Sequence, residues 1–345
     1  MKIKKDVWTV KYRPHTLDDI IGNEQSVTTI RQLIRSNNLP HLVFHGPINS
    51  GKASVAFALA HEIYGEEYER NFTYFNASDF FDQGKQYLVR DKRFIRIIGT
   101  DDPKKINKSV ISIFKEIINE YAGMGSLDAD YKVIFIDNAE SLNSDAQHAL
   151  RRIMEKYTAT CRFILSTTQP SRLIPPLRSR GLQLFFTYVS DAKLIEYVNS
   201  IAAQEELTVS DDALDAIAYH SKGNLAKALL TMQIASMSLR SGDNEISQQL
   251  IYETVLSEIP EDITRLFESA LAGDIIAARK VIDKLLIEDG LSGSEILGQL
   301  HDIVVTSNEK DTDIAKYVNN IAEADLRMLD ASNDRIQLEA MVANF

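Results

Sequence analysis

The chain has 345 residues, 38 Lys and Arg against 49 Asp and Glu, a formal net charge of -11 and a single cysteine. At roughly 100–200 residues per domain this length predicts two or three domains, and the 44% hydrophobic content excludes a disordered, collagen-like or disulfide-framed chain. Cys161 alone makes neither an intrachain disulfide nor a cysteine-based zinc site, no apolar run approaches the ~20 residues of a membrane span, and the acidic balance argues against non-specific coating of nucleic acid while leaving room for a local basic surface. The N-terminal MKIKKDVWTVKYRP lacks the apolar stretch of a secretory signal, so a cytosolic or nuclear protein is expected.

In chain order, the first half alternates strand-like and helix-like segments. His41–His45 reads as a short apolar strand, Ala53–Tyr64 as a helix and Asn71–Asn76 as a second strand. A helix is expected over Ile106–Tyr121. Tyr131–Ile136 follows, a continuous apolar run of the kind a parallel strand covered on both faces requires. Ser144–Tyr157 reads as a helix, Arg162–Ser166 and Leu182–Phe186 as strands. Strands separated by helices predict βαβ units and a parallel sheet. After Tyr188 the strand pattern stops. Asp191–Gln204, Asp211–His220 and Leu225–Leu239 read as three helices, with Ser190 and Ser210 as N-caps and Gly223 as a break. Arg240–Glu245 reads as a linker. Beyond it the chain stays helical, with helices over Ile275–Ile287, from about Ser294, over Tyr317–Asp330 and over Asn333–Asn344. The division predicted is an α/β nucleotide-binding domain over 1–188, a helical domain over 189–245 and an all-α domain over 246–345.

Gly46-Pro47-Ile48-Asn49-Ser50-Gly51-Lys52 fits G-x-x-x-x-G-K. The spacing alone is weak, but it falls between an expected strand and an expected helix, where a phosphate loop belongs. Backbone N–H groups of such a loop curl around phosphates, the helix N-terminus adds positive potential, and Lys52 reaches the outer phosphates. A working loop carries Ser or Thr next, whose hydroxyl holds Mg²⁺; here stands Ala53, and Ser54 comes one position and about 100° of helix late. The apolar run ending in Asp137 is a Walker B arrangement, with the acid near Mg²⁺. Hydrolytic members of the class carry Glu next, to activate water; here stands Asn138, which orients water but takes no proton, a loss worth ~10²–10⁴ in rate. Both departures fall on the metal-and-water side, so binding without efficient hydrolysis is expected.

The segments Trp8–Gly22, Leu39–Gly46, Asn76–Asp79, Asp145–Glu155, Arg178–Arg180 and Ile336–Ala340 closely resemble the small subunits of the replication factor C family of clamp loaders, the archaeal type most of all. The resemblance runs from about Trp8 to Phe345. It implies an AAA+ P-loop module, a three-helix lid and an all-α collar. It further implies a hetero-oligomer with other small and large subunits that uses ATP to load a sliding clamp on primer–template DNA. The compartment implied is the cytoplasm for an archaeal-type protein and the nucleus for a eukaryotic one.

Transferred position by position, Lys11, Tyr12 and Arg13 match the segment near the adenine and Asp137 the Walker B acid. Arg180 matches the arginine finger that enters a neighbour's site. Thr168 stands where the family has the sensor-1 Asn, Ala226 where it has the sensor-2 Arg, and Gly181 where it has Cys. Ala53, Asn138, Thr168 and Ala226 are thus four altered catalytic or sensing positions, while the finger remains. The resemblance therefore implies a subunit that assists its neighbour while hydrolysing ATP poorly. An active ATPase and a nucleotide-free, stator-like subunit are the alternatives.

Phe80–Lys105 looks like an insertion relative to the family. It holds Lys85, Arg90, Lys92 and Arg93 with Tyr87 and Phe94 interleaved. Two readings stand: phosphate contact along the DNA path with stacking on an aromatic, or a solvated insertion with Phe80 and Phe81 tucked against the domain. Arg151 and Arg152, on the helix after Asp137, fit DNA contact or structural ion pairing. No cluster of His, Asp or Glu has metal spacing, so no metal held by protein alone is expected, only Mg²⁺ brought by ATP or ADP. Cys161 reads as a buried core residue.

Overall fold

The computed structural model of the chain describes residues 7–90, 92–126, 129–239, 244–258, 261–307, 310–328, 331 and 333–345. Five strands, β1 (Leu42–His45), β2 (Phe72–Asn76), β3 (Lys132–Asp137), β4 (Cys161–Thr167) and β5 (Leu182–Phe185), form one parallel sheet in the order β2-β3-β4-β1-β5. The alternation of side chains along each strand builds two cores. Val43, Phe75, Ile134, Ile136, Phe163 and Leu165 face the helices Val110–Gly123 and Ser144–Lys156. Leu42, Phe44, Val133, Phe135, Ile164 and Leu184 face the helices Glu24–Arg35 and Lys52–Tyr64. This double cover is why the strands read as unbroken apolar runs, and burial of each large apolar side chain stabilises the fold by about 1.5–3 kcal/mol. Cys161 lies fully buried at the start of β4, and burial pushes its thiol up to about 12. Between β1 and β4, the buried His41 accepts a hydrogen bond from the Phe163 N–H through Nδ1 (3.0 Å). Burial pulls its imidazole down to about 4, so it sits neutral as an acceptor.

The helix expected over Ile106–Tyr121 starts later. Pro103–Lys105 is a single 3₁₀ turn, and the helix Val110–Gly123 begins where Ser109 Oγ accepts the Ser112 N–H. The segment read as an insertion folds as three short helices, Ala77–Asp82, Lys85–Leu88 and Lys92–Ile98. Phe80, Leu88 and Phe94 from it are fully buried in the core beneath the sheet. Phe94 stacks on Phe75 of β2 with ring centroids 5.7 Å apart. The reading with aromatic stacking on DNA therefore has no Phe94 ring to use, and Tyr87 is itself half-buried against Phe80 and Phe94; the burial of Phe80 agrees with the other reading.

Two compact units divide the chain, Met1–Gln248 and Gln249–Phe345. Within the first, the helices Asp191–Gln204, Asp211–Ser221 and Leu225–Met237 form the three-helix lid. Ser210 caps the second through the Ala213 N–H, whereas Ser190 makes no side-chain cap. Gly223 takes φ +78°, and a Cβ there would stand 2.4 Å from the Val189 carbonyl oxygen, so glycine is required. Of the expected linker, 240–243 lie outside the described residues, and Glu245–Ile246 pairs in parallel with Thr208–Val209. The second unit is helical. Ile275–Asp283, Gly293–Thr306, Asp311–Met328 and Asp334–Val342 pack, with Glu261–Leu271, around Leu266, Ile282, Leu300 and Leu338. Arg335 ties Asp283 (2.9 Å) to Glu339 (2.9 Å), and Arg279 meets Glu339 at 3.1 Å. Asp330, the expected end of one helix, lies outside the described residues.

Candidate functional site

β1 delivers the chain into the loop Gly46–Gly51 and then the helix Lys52–Tyr64. Two positions in the loop depend on backbone geometry. Gly51 takes φ +90°, which an L side chain adopts only at a cost. A Cβ on Gly46 would fall 2.2 Å from the Phe186 carbonyl oxygen, so the loop can lie this close to the end of β5 only as glycine. Ser50 Oγ donates to the Pro47 carbonyl at 2.8 Å. Lys52 is buried, and its ammonium donates to the carbonyls of Gly46 (2.8 Å) and Pro47 (2.6 Å). Burial pulls Lys52 below its ordinary value, against the opposing pull of Asp137 and Glu140. The two carbonyls occupy two of the three ammonium N–H donors, which leaves the third, 3.5 Å from Ser50 Oγ, for a phosphate.

Because β4 lies between β1 and β3, its C-terminal end separates the phosphate loop from the acid at the end of β3. Asp137 Oδ1 accepts the Asn138 N–H at 3.1 Å. Asn138 takes φ +50°, and its side-chain amide donates to Asn76 Oδ1 at 3.1 Å. Thr168 gives both its N–H (3.1 Å) and its hydroxyl (2.6 Å) to Glu140 Oε1. Burial alone would raise Glu140, but these hydrogen bonds hold it below the usual carboxylate range.

A cavity of about 540 Å³ opens over the loop, within the size of small-molecule sites. Asn49, Ser50, Gly51, Lys52, Ala53 and Ser54 form its floor, with Asp137, Asn138 and Thr168 beside them. Val10, Ile20, Ile21, Val189, Leu225 and Leu229 give it an apolar wall, and Tyr12, Arg13 and Ala226 also line it. The N-terminal segment is held over it by the lid. Trp8 N–H donates to Gln233 at 3.0 Å, and Lys11 and Tyr12 both meet Glu205 Oε1 at 2.5 Å. Burial would raise Glu205, but those two hydrogen bonds hold it below its ordinary value. Lys11 thus points to the lid carboxylate and is not among the cavity's lining residues, while Tyr12 and Arg13 are.

The donor set discriminates between ligands. Backbone N–H groups of the loop, Lys52 and the apolar wall fit a nucleotide. For Mg²⁺ the fit is incomplete: Ala53 offers no oxygen, which leaves Asp137 as the one side chain at the usual metal position, and Mg²⁺ demands near-octahedral oxygen ligation.

Arg180 does not line this cavity. It lies two residues before β5, whose first residue Leu182 pairs with Leu42 at the start of β1. That is the end of the sheet opposite the phosphate loop. Its guanidinium donates to the Pro176 carbonyl (2.5 Å) and forms an ion pair with Glu155. Glu155 also faces Arg151, whose Nε lies 3.8 Å away. The buried Gln147 pins this region: its amide donates to the carbonyls of Leu142 (2.8 Å) and Arg172 (3.0 Å), and it accepts the Ile174 N–H (2.8 Å).

Comparison with known proteins agrees with this geometry. Residues 259–344 match the replication factor C C-terminal domain, residues 197–237 the RCF1/5-like AAA+ ATPase lid domain, and residues 22–190 the DNA polymerase III delta subunit. The replication factor C small subunit of Haloarcula marismortui is 34% identical over 99% of this chain and 95% of its own. That of Methanosarcina barkeri is 36% identical over 99% and 97%. The chain belongs to the replication factor C small-subunit family. Among solved structures, RuvB of Thermotoga maritima matches with a TM-score of 0.54 at 18% identity, over 84% of this chain and 85% of its own, a likeness of fold. The replication factor C resemblance accounts for the AAA+ sheet, the lid and the helical C-terminal unit.

Within the family, Gly181 has a local reason. A Cβ there would lie 2.7 Å from Val43 Cγ2 and 3.2 Å from the Leu42 carbonyl carbon, so the usual Cys would require β1 to shift. Of the basic residues expected to meet DNA, Lys85 donates to the Ile106 carbonyl (2.8 Å) and Arg90 to Gln83 (3.3 Å). Arg151 is paired as above. Arg152 is exposed in a groove with Lys115 and His148. The side chains of Lys92 and Arg93 lie outside the described residues. Sequence reasoning missed Asn76, Glu140, Gln147, Glu155 and Glu205. Only Gln147 left a signal, a polar residue on the face that carries Ala146, Leu150 and Met154. Among the described residues there is no cluster of His, Cys, Asp and Glu able to hold a metal, and no helix long and apolar enough to cross a membrane.

Proposed function

We propose that this chain is a subunit of a hetero-oligomeric sliding-clamp loader that binds ATP or ADP, hydrolyses it weakly or not at all, and supplies Arg180 to a neighbouring subunit's nucleotide. The observation that carries this reading is the placement of the two functional ends on one sheet. The cavity that fits a nucleotide lies at the C-terminal ends of the strands, and Arg180 lies at the N-terminal end of β5. At about 3.3 Å per residue, β1 alone holds these ends about 10 Å apart, which favours a nucleotide on another chain as the one that Arg180 serves. Its own site keeps Lys52 and the loop but places Ala53 and an amide, Asn138, where metal and water chemistry need a hydroxyl and a base. When bound, Mg²⁺ would neutralise phosphate charge; Asp137 is the residue that would hold it, and Asn138 would orient water. The partners proposed are the other small and large subunits, the clamp and primer–template DNA, the last through Arg90, Lys92, Arg93, Arg151 and Arg152.

The test is nucleotide binding and turnover by the purified chain. Micromolar binding of ADP and ATP with negligible phosphate release is expected, and loss of binding in Lys52→Ala. Turnover at ordinary ATPase rates, abolished by Lys52→Ala, would make the chain an active ATPase. Absence of binding would leave it a nucleotide-free structural subunit.

A further inference from the structure

The Arg180 guanidinium is engaged within its own subunit in this structure. One nitrogen donates to the Pro176 carbonyl, another pairs with Glu155, and the side chain is 31% exposed. Two of its five N–H donors are thus taken within the subunit, and the Glu155 carboxylate offsets the charge that phosphate on a neighbouring chain would meet. We propose that Glu155 is a positioning residue that parks Arg180 against its own subunit, and that delivery of Arg180 to a neighbour's nucleotide is an exchange of the Glu155 carboxylate for phosphate oxygens. The inference rests on the assignment of Arg180 as a trans-acting arginine.

Three features fit a releasable restraint rather than a fixed support. The Glu155 side chain is 43% exposed, so the pair is not sealed from water, and exposed ion pairs are weak. Guanidinium binds phosphate in the same forked geometry as carboxylate, so the exchange conserves hydrogen bonds. Glu155 is not stranded when Arg180 leaves, because Arg151 stands 3.8 Å away on the preceding turn of the same helix. Gln147, by contrast, is buried and bonded on all sides. It fixes the loop that leads to Arg180, so the backbone stays in place while the side chain swings.

The test uses the assembled loader, titrating this chain against a fixed amount of a hydrolytic partner and reading ATPase rate, with Arg180→Ala, Glu155→Gln and Glu155→Asp. Arg180→Ala is expected to lower the saturated rate at least tenfold. Glu155→Gln, which keeps the size but removes the charge, is expected to leave the saturated rate intact and to lower the half-saturating concentration about threefold or more. Glu155→Asp, which keeps the charge, is expected to stay close to the parent. In the isolated chain, the Arg180 side-chain NH resonances should lose their shift and slow exchange in Glu155→Gln. An unchanged titration for Glu155→Gln, with Arg180→Ala still defective, overturns the restraint and leaves the arginine's role standing. A saturated rate as low as that of Arg180→Ala makes Glu155 a support and overturns it too. A normal rate for Arg180→Ala overturns the trans assignment and the restraint with it.

Discussion

Asn138 and Ala53 each differ by a few atoms from the Glu and the Ser or Thr expected at those positions, and the structure indicates what each atom would do. The Asn138 amide donates to Asn76 Oδ1, whose own amide donates to Asp79 at 2.8 Å. Glutamate at 138 would place an acceptor against that acceptor until the Asn76 amide turned over to donate to it, at the expense of its bond to Asp79. The flip would also take Asn76 Oδ1 away from the Ser78 N–H that it caps at 3.1 Å, a loss of about 0.5–2 kcal/mol, so a base at 138 is tolerable at that cost. It would still lack a metal ligand, because the Lys52–Tyr64 helix turns Ser54 about 100° away from the Ala53 direction. Ala53→Thr and Asn138→Glu should therefore act together. Each alone is expected to raise turnover less than about tenfold, and the pair by more than their product, since base and metal contribute to the same step. Steady-state phosphate release from the four variants checks this. Simple multiplication of the two effects would separate the roles and show that the Mg²⁺ ligand is not what Asn138→Glu waits for.

At the scale of elements, Ala77–Ile98 is a piece of the core rather than an ornament on it. Phe94 is fully buried, stacked on Phe75 at 5.7 Å and edge-on to Phe80 at 5.9 Å. Phe94→Ala removes a ring from a closed aromatic cluster and should cost about 3–5 kcal/mol, read as a lower urea midpoint with an unchanged slope. A loss below about 1 kcal/mol would mean that the segment is held independently of β2. Apolar periodicity exposed the strands β1 to β5 and the lid helices to within about two residues, because period and burial leave a direct trace in sequence. It left the role of Phe94 open, since an aromatic among basic residues reads equally as a DNA platform and as a core anchor. The pairs Glu140–Thr168, Glu155–Arg180 and Glu205–Lys11 left no trace, because a hydrogen bond or ion pair between distant segments has no period. The phosphate loop and Asp137 were legible because their spacing reflects local backbone geometry. The placement of Arg180 away from its own cavity required the sheet register.

For the whole molecule, a net charge of -11 has to coexist with the DNA contact proposed above. The first unit holds many of its cations in internal pairs: Lys11 with Glu205, Lys108 with Glu116, Arg151 and Arg180 with Glu155. Such cations add little to a phosphate site until their partners are displaced. Arg152 and Arg90 are different, the first exposed in its groove and the second held by a neutral amide alone. A phosphate backbone can take either of them, and likewise Lys85 from the Ile106 carbonyl, without breaking an ion pair. Each phosphate contact contributes about 0.9 to the slope of log affinity against log salt on duplex DNA. Arg90→Glu and Arg152→Glu in the assembled loader should each lower that slope by about one, whereas Arg151→Gln should change it by less, because Glu155 competes for Arg151 throughout. Primer–template binding measured between 50 and 300 mM salt decides this. A slope that none of the three variants alters would place the DNA path on another surface.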